Sequence, residues 1–109
     1  MSDAAWQVFN VDSLRAGLAG KSPEYREFLR TPHLSCGVYQ LPRGARDMQT
    51  PHDEDEVYYV IAGRGTLKVG DTTHEVRAGS VLYVRATEAH TFFEIEEDMT
   101  LLVFFADAL

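Results

Sequence analysis

Cysteine is almost absent from this chain: Cys36 is the only one in 109 residues. No internal disulfide can form, and no cysteine-based zinc site. A reducing, cytoplasmic setting is therefore expected. Positive charge is also scarce. Ten Lys and Arg stand against 17 Asp and Glu, for a net charge of −7. That balance argues against nucleic acid or an anionic membrane as partner, because both select basic surfaces. No apolar run approaches the roughly 18 residues that cross a bilayer. The opening MSDAAWQVFNVDSL lacks the basic start and apolar centre of a signal peptide, so none is expected. A phosphate-cradling glycine loop is missing as well. Gly63-Arg64-Gly65 lacks the G-x-G-x-x-G spacing and follows an apolar strand pattern without opening a helix. No nucleophilic triad is visible, and Cys36 reads as a buried strand residue. What remains is 45% hydrophobic, an ordinary globular composition for one domain.

Along the chain, residues 1–11 read as an arm carrying Trp6, Val8, Phe9 and Val11. Asp12 or Ser13 can cap a short helix running to about Ala19, with Gly20 after its end. Ser22-Pro23 then predicts a second short helix, with Tyr25, Phe28 and Leu29 at helical spacing. Thr31-Pro32 ends it. From Leu34 onward the pattern is of short strands. Leu34–Leu41, Val57–Ile61, Thr66–Val69, Thr73–Val76, Ser80–Val84, His90–Ile95 and Thr100–Phe105 are separated by turn residues. Gly70-Asp71 marks a hairpin. Roughly seven or eight short strands without intervening helices indicate an antiparallel, all-β sandwich or barrel.

The stretch Gly44–Gly65 and the distant His90 carry the chemistry. Gly44, His52, Glu56 and Gly63 fall at the spacings of the first cupin motif, G-x5-H-x-H-x3-E-x6-G. Thr50 stands in place of the first histidine. Gly79 and His90 fit the second motif, G-x5-P-x-G-x2-H-x3-N. There Arg85, Thr87 and Glu94 replace the proline, glycine and asparagine. The chain thus resembles a small single-domain cupin. The resemblance implies a double-stranded β-helix (jelly-roll) barrel over residues 34–109, preceded by an arm and short helices over 1–33. It implies a divalent transition metal inside the barrel, held by His52, Glu56 and His90. It further implies dioxygenase, isomerase or epimerase chemistry on a small molecule, and a homodimer.

Two imidazoles and one carboxylate suit iron, manganese, nickel or zinc and leave positions open for water or a small oxygen-rich substrate. On a straight strand, however, His52 and Glu56 would lie about 13 Å apart, at roughly 3.3 Å per residue. The chain must bend between them, and Asp53-Glu54-Asp55 is the place expected. A helical turn would also bring the two together, but the β-type VYYVI that follows and Pro51 before favour the bend. Taken singly, His52 reads as a turn histidine, Glu56 as a solvated strand end and His90 as a hydrogen-bonded barrel residue. The shared register turns all three into ligand candidates. Thr50 can line the pocket, give its place to water, or mark a site that has lost its metal. A non-catalytic small-molecule-binding or sensor module is therefore the competing reading. Tyr58, Tyr83 and Phe92 are candidates to line the cavity, although most strand aromatics must serve core or interface. Arg85 reads as a surface residue, and His33 and His74 match no motif position. The apolar arm has no obvious place in a minimal barrel, so removing residues 1–11 is expected to shift a dimer toward monomer.

Overall fold

A computed structural model of the chain describes residues 5–47 and 51–107. One helix, α1 (Val11–Ala16), precedes six strands: β1 (Glu24–Arg30), β2 (Leu34–Leu41), β3 (Glu54–Val69), β4 (Thr72–Arg77), β5 (Val81–Val84) and β6 (His90–Asp107). The Asn10 side chain caps α1 by accepting from the Ser13 N–H at 3.1 Å. The helix therefore starts earlier than expected, and it ends at Ala16 rather than Ala19.

All pairings are antiparallel. The first half of β3 pairs with the end of β6 on one side and with β5 on the other. The second half of β3 pairs with the start of β6 and with β4. β2 extends the first wall beyond β6, and β1 closes its edge. Two walls thus share β3 and β6, which turn the corner between them. The interior is filled by residues such as Tyr58, Val60, Leu67, Phe92, Met99 and Leu101. This is the all-β jelly-roll barrel that the resemblance implied.

The corners explain a difference from the sequence reading. Val57–Ile61 and Thr66–Val69 are one strand, β3, and His90–Ile95 and Thr100–Phe105 are one strand, β6. Along β3 the buried positions are Glu56, Tyr58 and Val60, then Gly65 and Leu67. The inward phase changes from even to odd across Gly63 (φ +87°). In β6 the change from His90 and Phe92 to Ile95 spans Glu94, whose φ is +48°. A local irregularity shifts the alternation by one residue and bends the strand. Thr87 (φ +68°) and Glu94 are the two non-glycine residues with positive φ among those described. They stand where the second motif carries glycine and asparagine, the residues that best tolerate this conformation.

The expected second helix is corrected to the strand β1. Its register slips between Glu27 and Leu29, a bulge that leaves Phe28 as the extra residue. The bulge reproduces a helical i, i+3, i+4 spacing while sending side chains to different faces. Tyr25 crosses Gly37, leaving no room there for any side chain, and meets the rings of Tyr39 and Phe105. Burial in that contact, with the Glu27 charge adding to it, pushes the Tyr25 hydroxyl up to about 12. Phe28 instead meets Phe9 of the arm, with ring centroids 4.8 Å apart. No described helix is long and apolar enough to cross a membrane.

Candidate functional site in the barrel interior

The even phase of β3 points Glu56 and Tyr58 into the barrel, and His90 enters from the other wall as the first residue of β6. Glu56 is 2% exposed and Tyr58 fully buried. The Glu56 Oε1 lies 3.3 Å from the His90 Nε2. The Tyr58 hydroxyl lies 3.0 Å from the same nitrogen. The ring of Phe92 closes on Tyr58 edge to face, 5.1 Å between centroids.

The His90 Nδ1 lies 2.9 Å from the Glu88 carbonyl oxygen. A carbonyl only accepts, so Nδ1 carries the proton and Nε2 is the atom turned toward Glu56. A backbone carbonyl that accepts from one ring nitrogen, and so directs the other toward the interior, is a support that metal-binding histidines use. The Glu56 Oε2 is buried and has no hydrogen-bond partner among the described residues. Such an atom is costly to bury and favours an incoming donor or cation.

Hydrogen bonding to Glu56 raises the His90 pKa above its ordinary value. Burial opposes this, and the Glu88 carbonyl and the charges of Glu56 and Asp47 assist it. A raised folded pKa contributes stability that is complete below the unfolded value, about 6.5. That stability is lost as pH rises through the higher folded value. Urea unfolding of the metal-free protein should thus show stability declining as pH rises above the ordinary imidazole range. Glu56→Gln should flatten that decline.

A second buried carboxylate, Asp47, was not visible in the sequence. It accepts from the Tyr39 hydroxyl at 2.7 Å and from the Phe92 N–H at 3.3 Å. Its own N–H donates to the Phe92 carbonyl at 3.1 Å, and its carbonyl accepts from the Thr91 hydroxyl at 3.0 Å. Asp47 thereby seals the free edge of β6 with main chain and side chain together. No spacing rule marks it, because its role depends on where the loop after Gly44 lands.

The chain bends at Asp53, as the ligand geometry demanded, but β3 already begins at Glu54, so the bend is shorter than expected. His52 is half-buried, and its carbonyl accepts from the Thr87 N–H at 2.6 Å. Its ring packs edge to face on Phe105 at 4.8 Å. Phe105 is the register partner of Glu56 across β3 and β6, so His52 stands one side chain away from the carboxylate. Among the described residues no three His, Cys, Asp or Glu side chains stand close enough together to hold an ion. Of the expected ligand set, Glu56 and His90 are together and His52 is beside them. Thr50 lies outside the described residues. Tyr58 and Phe92 line the interior, whereas Tyr83 lies exposed on the outer face. Arg85 is exposed 3.9 Å from Glu88, and His74 is exposed on β4.

The family model described as "Cupin domain" matches residues 37–105. The chain is a cupin. An uncharacterized protein of Streptomyces coelicolor, SCO3923, is similar to this cupin at 44% identity over 100 residues, covering 92% of this chain and 95% of that one. Among solved structures, an uncharacterized conserved protein with a double-stranded β-helix domain from Klebsiella pneumoniae superposes with a TM-score of 0.80 at 18% identity. It covers 93% of this chain and 90% of that one. The DMSP lyase DddQ of Ruegeria pomeroyi superposes with a TM-score of 0.74 at 16% identity over 81% of this cupin. This cupin spans 48% of the lyase's length. At such identities the structural likeness establishes the barrel fold.

Proposed function

We propose that this cupin holds a divalent transition metal, iron, manganese, nickel or zinc, inside its barrel and acts as a dioxygenase or isomerase on a small oxygen-rich molecule. Glu56 and His90 would be the prearranged ligands and His52 the third, after leaving the ring of Phe105. One observation carries the reading: a carboxylate with a buried oxygen that has no partner among the described residues and a backbone-oriented imidazole meet in the buried interior. When bound there, the ion would supply Lewis acidity to a ligand oxygen. Tyr58 holds a hydroxyl at the His90 Nε2, where it can donate to or accept from a small ligand. The ring of Phe92 packs edge to face against that phenol. The described buried residues include no Lys or Arg, so an anionic group on the ligand would depend on the ion for its countercharge.

The competing reading is a non-catalytic small-molecule-binding or sensor module. It is favoured by the meeting of only two expected donors among the described residues. Metal-loaded protein should separate the two when tested against small diols, sugars and enols, with an oxygen electrode and by proton NMR. Oxygen consumption or substrate conversion is expected. Retained metal without either supports the binding module. The net charge of −7 supports a small-molecule partner over nucleic acid or anionic lipid. The unpaired Cys36 supports a reducing compartment such as the cytoplasm.

A further inference from the structure

The segments that carry His52 and His90 are tied together by one half-buried carboxylate outside the ligand set. Pairing of β3 with β5 ends at Glu56 and Val84. One residue further out on β3, Asp55 continues the ladder with its side chain: its Oδ1 accepts from the Ala86 N–H at 2.8 Å. Ala86 and Thr87 are the central residues of a turn that the Glu88 N–H closes on the Arg85 carbonyl at 3.1 Å. Thr87, the third residue of the turn, has a φ of +68°, a position that in type II turns belongs to glycine. A β-branched residue is strained there, and such a conformation persists only where its surroundings fix it. Here the bend before β3 fixes it. The Asp55 carboxylate takes the Ala86 N–H, and the His52 carbonyl takes the Thr87 N–H at 2.6 Å. The carbonyl of Glu88, the last residue of the turn, accepts from the His90 Nδ1 at 2.9 Å. One turn therefore holds His52 by its main chain and His90 by its ring.

We propose that Asp55 is a positioning residue of the site: by holding the Arg85–Glu88 turn in its strained form, it sets His52 and His90 relative to each other. Glu56 faces the interior. Asp55, one residue earlier on the same strand, lies on the opposite face, so it acts through the turn and not as a ligand. As a role in metal binding this rests on the centre proposed above; as a constraint on the two rings it stands without the ion. The acceptor oxygen is the working group. Asp55→Asn keeps an acceptor at that place and removes the charge, whereas Asp55→Ala removes both.

NMR of the metal-free protein reads the two rings. In the wild type the His90 Nδ1–H should be protected from exchange by its bond to Glu88, and the Phe105 ring should displace the His52 ring signals. Asp55→Ala should lose the protection and move the His52 signals toward their unstructured positions; Asp55→Asn should restore both. Because Asp55 is half-buried, Asp55→Ala should fold, with far-UV circular dichroism as the check. Asp98→Ala is the control. It removes another carboxylate that accepts from a loop N–H, that of Arg43 at 2.7 Å, at the corner beside Gly63, and should leave both rings as they are. A cobalt(II) titration should then give an affinity about ten- to a hundred-fold lower in Asp55→Ala, the usual cost of losing an outer support, and near wild type in Asp55→Asn. Ring signals in Asp55→Ala that match the wild type overturn the proposal. So does an Asp55→Asn variant as impaired as Asp55→Ala, or an equal loss in Asp98→Ala. A wild type that takes up no cobalt removes the metal centre instead, and the ring signals alone then decide the role of Asp55.

Discussion

Gly63→Ala should lower the stability of this cupin by about 3–5 kcal/mol, more than an ordinary surface substitution could. Two costs add at this position. A φ of +87° is glycine territory, and an alanine held there costs about 1–2 kcal/mol. An added Cβ would also run into the Asp98 carbonyl oxygen and lie 2.7 Å from both the Asp98 carbonyl carbon and the Met99 Cα. Those atoms are backbone of the paired strand, so no side chain can swing aside. Met99 is fully buried, and pushing its backbone away opens the core at the corner where β3 and β6 change walls. A domain of this size loses roughly 4–8 °C per kcal/mol, so the melting temperature should fall by about 12 °C or more. Paired thermal and urea melts would measure it. A loss under about 1 kcal/mol would show that the corner does not depend on this close approach.

Glu56→Ala should be comparably severe in the metal-free protein, at about 3–5 kcal/mol. Where His90 is protonated, removing the carboxylate leaves a buried cation without its countercharge. At higher pH the ring is neutral and the cost falls to that of a lost contact and a cavity. His90 would keep its carbonyl bond to Glu88 but lose the contact that is the main cause of its raised pKa. Burial would then dominate, and the imidazole would titrate lower than in the wild type. Glu56→Gln should cost less, since the amide preserves shape and can still hydrogen-bond a neutral ring. Denaturant melts read the stability, and NMR titration of the His90 ring reads the pKa. An unmoved His90 titration in Glu56→Gln would contradict the assigned pairing.

Much of the fold was legible in the sequence where local and tertiary demands agree. Leu34–Leu41 and the Gly70-Asp71 hairpin lie where the pattern put them, because strand propensity, burial and turn chemistry point the same way there. Reading failed where one residue displaces the alternation. Gly63 and Glu94 shift the inward phase of β3 and β6, so each long strand looked like two. The bulge at Phe28 gave β1 a helical spacing, and pairing with β2 overrode it. The site divides in the same way. Glu56 and His90 were reachable through the motif resemblance, whereas Tyr58 was one of three cavity candidates, with Tyr83 and Phe92, that only the fold could separate. Asp47 was not reachable, since a loop carboxylate that stands in for a strand partner has no periodicity. The placement of His52 against Phe105 depends on a cross-strand neighbour far away in sequence.

The most direct test of the proposed metal centre is elemental analysis of protein purified without a histidine tag, with His52→Ala and His90→Ala alongside. The wild type should carry close to one equivalent of a transition metal, and both variants should lose it. A wild-type protein that stays metal-free after incubation with iron, manganese, nickel and zinc would contradict the proposal.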